Sequence, residues 1–272
     1  MAFFLRYLVP SFDWLRVRPQ DPGPFKPTYV DICLARAMLK TLRLPTELVL
    51  DILEHACYWP TYEFRPNPNS TAIAIAHLGR TSGATLCLEA AVFNNRIVNP
   101  IRRRGEKPQV KRIEFEISSR DQGWTSENTE GTYATSSWLE VSILRNNTDD
   151  NTSVPISLPG TFLSSPLEYN QRVTLGSNWS LVRRPESAEQ GPQDGEGDLA
   201  WYLQGNRVAA GLQDYRVVWT LDGHEGNEGA GGGHGFLEEL KDGDRIVVWG
   251  RAKYHGWQCI IEDVKVTVYY GV

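Results

Sequence analysis

KRIEFEIS, residues 111–118, alternates strictly: Ile113, Phe115 and Ile117 fall on one side of an extended chain, Arg112, Glu114 and Glu116 on the other. Successive side chains of a β-strand point to opposite faces, so this is a strand with one buried and one wet face. SWLEVSIL, residues 137–144, repeats the pattern with Leu139, Val141 and Ile143 inward and Trp138 and Glu140 outward. Working outward, the same signal recurs at STAIAIAHL (70–78), around Leu86–Phe93, at RVTLGSNWSLV (172–182), LAWYLQ (199–204), DYRVVWTL (214–221), DRIVVWGRA (244–252) and QCIIEDVKVTVYY (258–270). Polar, Gly-rich turns separate these runs and no helical pattern is interleaved, which predicts a mainly β chain: an antiparallel β-sandwich, jelly-roll-like, of about eight or nine strands. Stretches near 145–155, 183–199 and 222–235 read as exposed loops of little order, because their Gly, Glu and Asp content supports no core.

Upstream of Pro60 the period is helical. YVDICLARAMLKTLR, residues 29–43, repeats apolar residues at Ile32, Ala35, Met38/Leu39 and Leu42. LPTELVLDILEHA, residues 44–56, predicts a second short helix, with Pro45 tolerated in a first turn and Glu47 at the positive end of the dipole. Leu48, Ile52 and Leu53 share a face there, and each contributes about 1.5–3 kcal/mol if fully buried. Trp59-Pro60 ends the helix. The expected organisation is a Pro-rich arm (1–28), a helical segment (29–60) and a sandwich domain (61–272).

Composition excludes several classes. With 41% hydrophobic and 22% charged residues the chain is an ordinary globular one, and a net charge of −5 gives no general attraction to nucleic acid or to an anionic membrane. Cys33, Cys57, Cys87 and Cys259 are scattered without a CxxC pair, which fits a reducing compartment better than a disulfide scaffold or a zinc site. Arg6 interrupts the apolar start and no run is long enough to span a membrane, so the expected location is intracellular, cytoplasmic or nuclear. Four N-x-Ser/Thr sequons, at Asn69, Asn146, Asn151 and Asn178, point the other way.

Little in the sequence suggests catalysis. His224, Glu225, Glu228 and His234 lie in GHEGNEGAGGGHG, where the glycines forbid the helix that a paired-histidine metal site needs, and no Lys-Ser/Thr completes a phosphate loop. No GxSxG elbow is present. The reading is therefore a non-enzymatic binding protein without metal or cofactor. Its candidate ligand-binding residues lie in two loops: Asp121, Gln122, Trp124, Tyr133 and Trp138 in SSRDQGWTSENTEGTYATSSWLE, and Arg251, Tyr254 and Trp257 in GRAKYHGWQ. A carboxylate, an amide and several aromatics suit a polar ligand or a peptide. The bland alternative is a self-packing loop, with Asp121 capping backbone amides and Trp124 plugging one end of the sandwich.

LPTELVLDILEHA resembles the opening of an F-box, whose Leu-Pro start and following helix dock on the Skp-type adaptor of cullin–RING ubiquitin ligases. The remainder resembles a group of fungal F-box-like proteins through Asp121–Trp124, Gly131–Tyr133, Trp138, Glu140, Gly243–Ile246, Trp249, Arg251, Ala252, Tyr254, Gly256, Trp257 and Tyr269–Tyr270. The resemblance implies adaptor binding by Leu44, Pro45, Glu47, Leu48, Ile52 and Leu53, and a protein client held by sandwich loops. It departs from an F-box in that further helices should follow the first, whereas strand-like sequence begins after Pro60. The alternative reading is a stand-alone lectin-like or small-ligand-binding sandwich with a vestigial F-box helix.

Overall fold

The computed structural model describes residues 26–66, 71–77, 79–148, 163–193 and 197–271. Most of the Pro-rich arm (residues 1–25) and most of the 145–155 loop fall outside these residues. Thr28 opens α1 (Tyr29–Thr41) with a capping box, its hydroxyl accepting from the Asp31 amide and its own amide donating to the Asp31 carboxylate. Arg43, at φ 60°, turns the chain into α2 (Thr46–His55). Pro45 stands at the N-cap, one place before the first turn. The two helices close over Ile32, Val49 and Leu53, with Ala35, Leu39, Leu44 and Tyr58 around them. Here the expected inner face shifts by one residue. The Val49–Leu53 row meets α1, so Leu48 and Ile52 remain 49% and 43% exposed.

The strands are β1 (Thr61–Phe64), β2 (Ala72–Ile75), β3 (Ser82–Ala90), β4 (Gln109–Arg120), β5 (Ser137–Asn146), β6 (Trp179–Leu181), β7 (Trp201–Gly205), β8 (Gln213–Thr220), β9 (His224–Glu225), β10 (Arg245–Lys253) and β11 (Gln258–Gly271). One antiparallel sheet runs β1-β11-β4-β8-β9 with β2 also on β11, and the other runs β3-β10-β5-β6 with β7 also on β5. The chain is thus a mainly β, two-sheet antiparallel protein, with eleven strands among the described residues. Ile113, Phe115 and Ile117 pair across to Val268, Val266 and Val264 and face the inner row of the second sheet, Leu139, Val141 and Ile143.

Three short helices are interleaved where none was expected: α3 (Asn95–Arg102), α4 (Pro166–Gly176) and α5 (Phe236–Glu239). The case of α4 overrides the strand read into Arg172–Gly176. Ser165 caps it by accepting from the Glu168 amide, and Pro166 sits at its start, a legible signal that the neighbouring valine and leucine obscured. α4 covers the outer face of the second sheet, where its Tyr169 and Val173 pack with Leu144, Trp179, Leu181, Val247 and Trp249 of the strands. Tyr169 meets Trp249 edge-on at 4.9 Å, and the Trp249 indole donates to Ser142 Oγ at 3.0 Å. The second sheet is therefore buried on both sides. The 222–235 segment is exposed through Glu228 as expected, but Gly229, Gly231 and Gly233 are buried against Tyr133, Tyr202 and Trp219.

The outer face of the first sheet stays wet and carries a ladder of charge, with Arg216 between Glu225 and Glu114, and Arg112 beyond. Burial opposes ionisation of Glu114, but Arg216, then Tyr269 and Arg112, outweigh it and hold the carboxyl below its ordinary value of 4.5. A depressed folded-state value contributes stability above the ordinary value and loses it as pH falls through the folded one. Lowering pH from about 6 to about 3 should reduce the urea midpoint more in the wild type than in Glu114→Gln. Equal losses would mean that the ladder does not discriminate the charged form.

Candidate binding surfaces

The end of β4 pairs with the start of β11 (Arg120 with Ile260) and the start of β5 with the end of β10 (Ser137 with Ala252), so the β4–β5 and β10–β11 connections close the same end of the sandwich. That topology brings together the two loops singled out from the sequence. Asp121 is fully buried, its Oδ1 accepting from the Gly123 amide at 2.7 Å and its Oδ2 from the Ala209 amide at 2.8 Å. Burial raises its carboxyl above the usual range, against the lowering effect of those two amides. Asp121 is thus a tie between loops. Gln122 spans the two connections, donating to the Trp124 carbonyl at 2.6 Å and accepting from the Gln258 amide at 3.3 Å.

Gly123, at φ 85°, turns Trp124 outward to 61% exposure, so Trp124 does not plug the sandwich. Trp257 is half-buried with part of its ring on the main core, and Tyr254, at φ 66°, is half-exposed. Between the loops lies a cleft of about 90 Å³, lined by Gln122, Trp124, Glu127, His255 and Trp257 among others. A cleft this small holds only a few waters, so a larger ligand would lie across it rather than inside it.

The other candidate residues are elsewhere. Trp138 and Arg251 are fully buried on the outer face of the second sheet. Glu140 accepts from the Trp138 indole at 2.7 Å and from Arg251, and the guanidinium lies 5.2 Å from the Trp138 ring centre. Gly191 lies against them, and Gln193 donates to Thr135 O and Ser136 Oγ at 3.0 Å, so the 183–193 segment roofs this cluster instead of standing free. Tyr133 packs beneath Gly229, where an added Cβ would come within 2.2 Å of its ring. Gln122, Trp124, Tyr254 and Trp257 are the candidates that gather at the end of the sandwich. Trp138, Arg251 and Tyr133 hold other segments together.

A second surface belongs to the helices. Tyr29 and Cys33 pack on the sandwich core, and Arg36 and Tyr29 both bond Glu106. A different side of α1 faces α2, and the remaining side carries Val30, Leu34 and Met38, which together with Leu42 just past the helix are 59% to 74% exposed. Their four-residue spacing places Val30, Leu34 and Met38 in one row on the helix surface. On α2, Leu48, Leu50 and Ile52 are exposed too, as are Pro45 and Glu47, while Leu44 is half-buried and Leu53 buried. The sequence reading put Met38 and Leu42 in one stripe with Ile32, whereas both are exposed, and it missed Val30 and Leu34, although the i, i+4, i+8 repeat was available.

No known family description matches the chain, and no curated protein does. Among solved structures, it is similar to a peanut lectin in complex with a nonapeptide, at 11% identity and TM-score 0.35 over 77% of this chain and 98% of that one. It is also similar to the Emp46p carbohydrate recognition domain in its metal-free form (11%, TM-score 0.31, 79% and 89%) and to that of Emp47p (10%, TM-score 0.32, 79% and 89%). Likenesses this distant say nothing of what this chain binds. Among the described residues no three His, Cys, Asp or Glu side chains gather as a metal site, and no helix is long and apolar enough to cross a membrane.

Proposed function

We propose that this is a non-enzymatic binding protein that docks on a Skp-type adaptor of a cullin–RING ubiquitin ligase through the outer face of its N-terminal hairpin, and offers the Trp124 end of the sandwich to a protein client. The observation that carries this reading is that, among the described residues, Val30, Leu34 and Met38 on α1 and Leu48 and Ile52 on α2 are all exposed. Large apolar side chains concentrated on one short element fit insertion of a helix into a groove of a partner. The F-box resemblance in 44–56 supplies the identity of that partner. In this arrangement α1, which precedes the Leu-Pro helix, stands in for the helices that would follow it in an F-box.

The test is co-purification with a Skp-type adaptor. Leu34→Asp/Met38→Asp and Leu48→Asp/Ile52→Asp should each weaken capture by about 100-fold or more, at a cost of about 1.4 kcal/mol per factor of ten. All four side chains are exposed, so the variants should keep the wild-type circular dichroism. A well-folded wild type that captures no adaptor would sink the reading.

A second reading has its own observation: Trp124 presents an exposed indole beside the polar groups of Gln122, Glu127 and His255, a platform on which a glycan ring can stack. Titration with a glycan panel, following Trp124 by its loss in Trp124→Ala, should then show saturable binding that Leu48→Asp/Ile52→Asp leaves intact.

A further inference from the structure

No helix joins His224 to His234, yet the fold brings the two imidazoles together, with ring centres 6.4 Å apart. Both histidines are anchored on Trp219. β9 pairs with β8 in a register that sets His224 opposite Trp219, and Gly233, the residue before His234, lies against the Trp219 ring. The His234 carbonyl in turn accepts from the Trp201 indole at 2.9 Å. Fully buried aromatic residues thus fix the backbone under two exposed imidazoles.

Gly232 leaves the gap between the rings. A Cβ added there would lie 2.9 Å from His234 Nδ1 and 3.5 Å from His224 Nδ1, so both nitrogens border the same space. They are separated by no more than those two distances together. Two nitrogens on one zinc ion, each at about 2.0–2.1 Å, stand about 3–4 Å apart, and rotation of two exposed side chains closes the difference. Among the described residues neither imidazole forms a hydrogen bond or an ion pair, so no existing bond opposes that rotation. Glu189 adds negative charge beside the gap, its Oε2 accepting from the Gly232 amide at 3.1 Å.

We propose that His224 and His234 chelate a divalent transition metal ion of the zinc type in the gap over Gly232. Imidazole suits zinc, copper and nickel, whereas calcium and magnesium require oxygen ligands. Two protein nitrogens make an open site, whose remaining positions are left to water or to a donor atom of a ligand. The inference goes beyond both functional readings and uses no residue of the helical hairpin or of the Trp124 end.

The experiment is calorimetric titration of the full, untagged chain with zinc chloride and, separately, with calcium chloride. Zinc should bind saturably at one ion per chain, and calcium should not saturate over the same concentrations. Removing a residue that merely orients a metal ligand costs about 10–100-fold in affinity, so His224→Ala and His234→Ala should each weaken zinc by about 100-fold or more. Both side chains are exposed, so these variants should keep the wild-type circular dichroism. Gly232→Ala retains both imidazoles but fills the gap between them, and should weaken zinc by about tenfold. His255→Ala, a change at an exposed histidine of the Trp124 cleft, should bind zinc as the wild type does. No saturable zinc binding would overturn the proposal. So would calcium binding of equal affinity, full zinc affinity in His224→Ala, His234→Ala or Gly232→Ala, or a loss in His255→Ala as large as theirs.

Discussion

Replacing Glu140 with alanine is expected to destabilise the protein by about 3–5 kcal/mol, the usual cost of removing one partner from a buried ion pair. Glu140 is 4% exposed and Arg251 fully buried, and the one carboxylate serves both the guanidinium and the Trp138 indole. Without it the Arg251 charge remains in the interior without this carboxylate, and Trp138 keeps an unsatisfied donor. Replacing both partners by apolar residues of similar volume, Glu140→Leu with Arg251→Met, should recover most of the loss, because neither desolvated charge is then present. Urea midpoints of the single and double variants decide the matter. A cost below about 1 kcal/mol for Glu140→Ala would mean that water reaches the pair. Arg251 would then regain its standing as a ligand-binding residue.

Gly233→Ala should cost about 2–5 kcal/mol, combining a left-handed backbone imposed on alanine with overpacking of a filled core. Gly233 sits at φ 64°, and a Cβ there would lie 2.2 Å from the Trp219 ring. Trp219 cannot retreat: it meets Phe115 and Phe236 at 5.0 Å and its indole donates to the Gly231 carbonyl at 2.8 Å. The matched control is Gly223→Ala in the same segment, where an added Cβ meets nothing within 4 Å. That change should stay within about 0.5 kcal/mol of the wild type. Equal effects at the two positions would show that the segment acts only as a loose tether.

The β class was legible because each core strand carries its own record: Ile113, Phe115 and Ile117 alternate as the pleat requires, and they are buried. The hairpin was legible in outline for the same reason, through its helical repeat and the Leu-Pro entry. α4 was written in the Ser165-Pro166 start but outweighed in reading by the apolar residues after it. The loops were the harder part. Asp121 and Trp124 lie three residues apart in the same polar loop, yet one is fully buried and the other 61% exposed.

What the sequence by itself determined about this protein is therefore periodic: the two kinds of element, their order, and which face of each strand is apolar. Only the tertiary structure decided which polar and aromatic residues meet solvent. Trp138 and Arg251 read as surface residues because they point away from the main core, and they are buried because the 183–193 segment covers that second face. The glycines of 229–233 read as slack, and they are fixed by rings belonging to other segments of the chain. Pleat and helical pitch act between near neighbours and leave a period in the sequence. Coverage is set by side chains distant along the chain and leaves none.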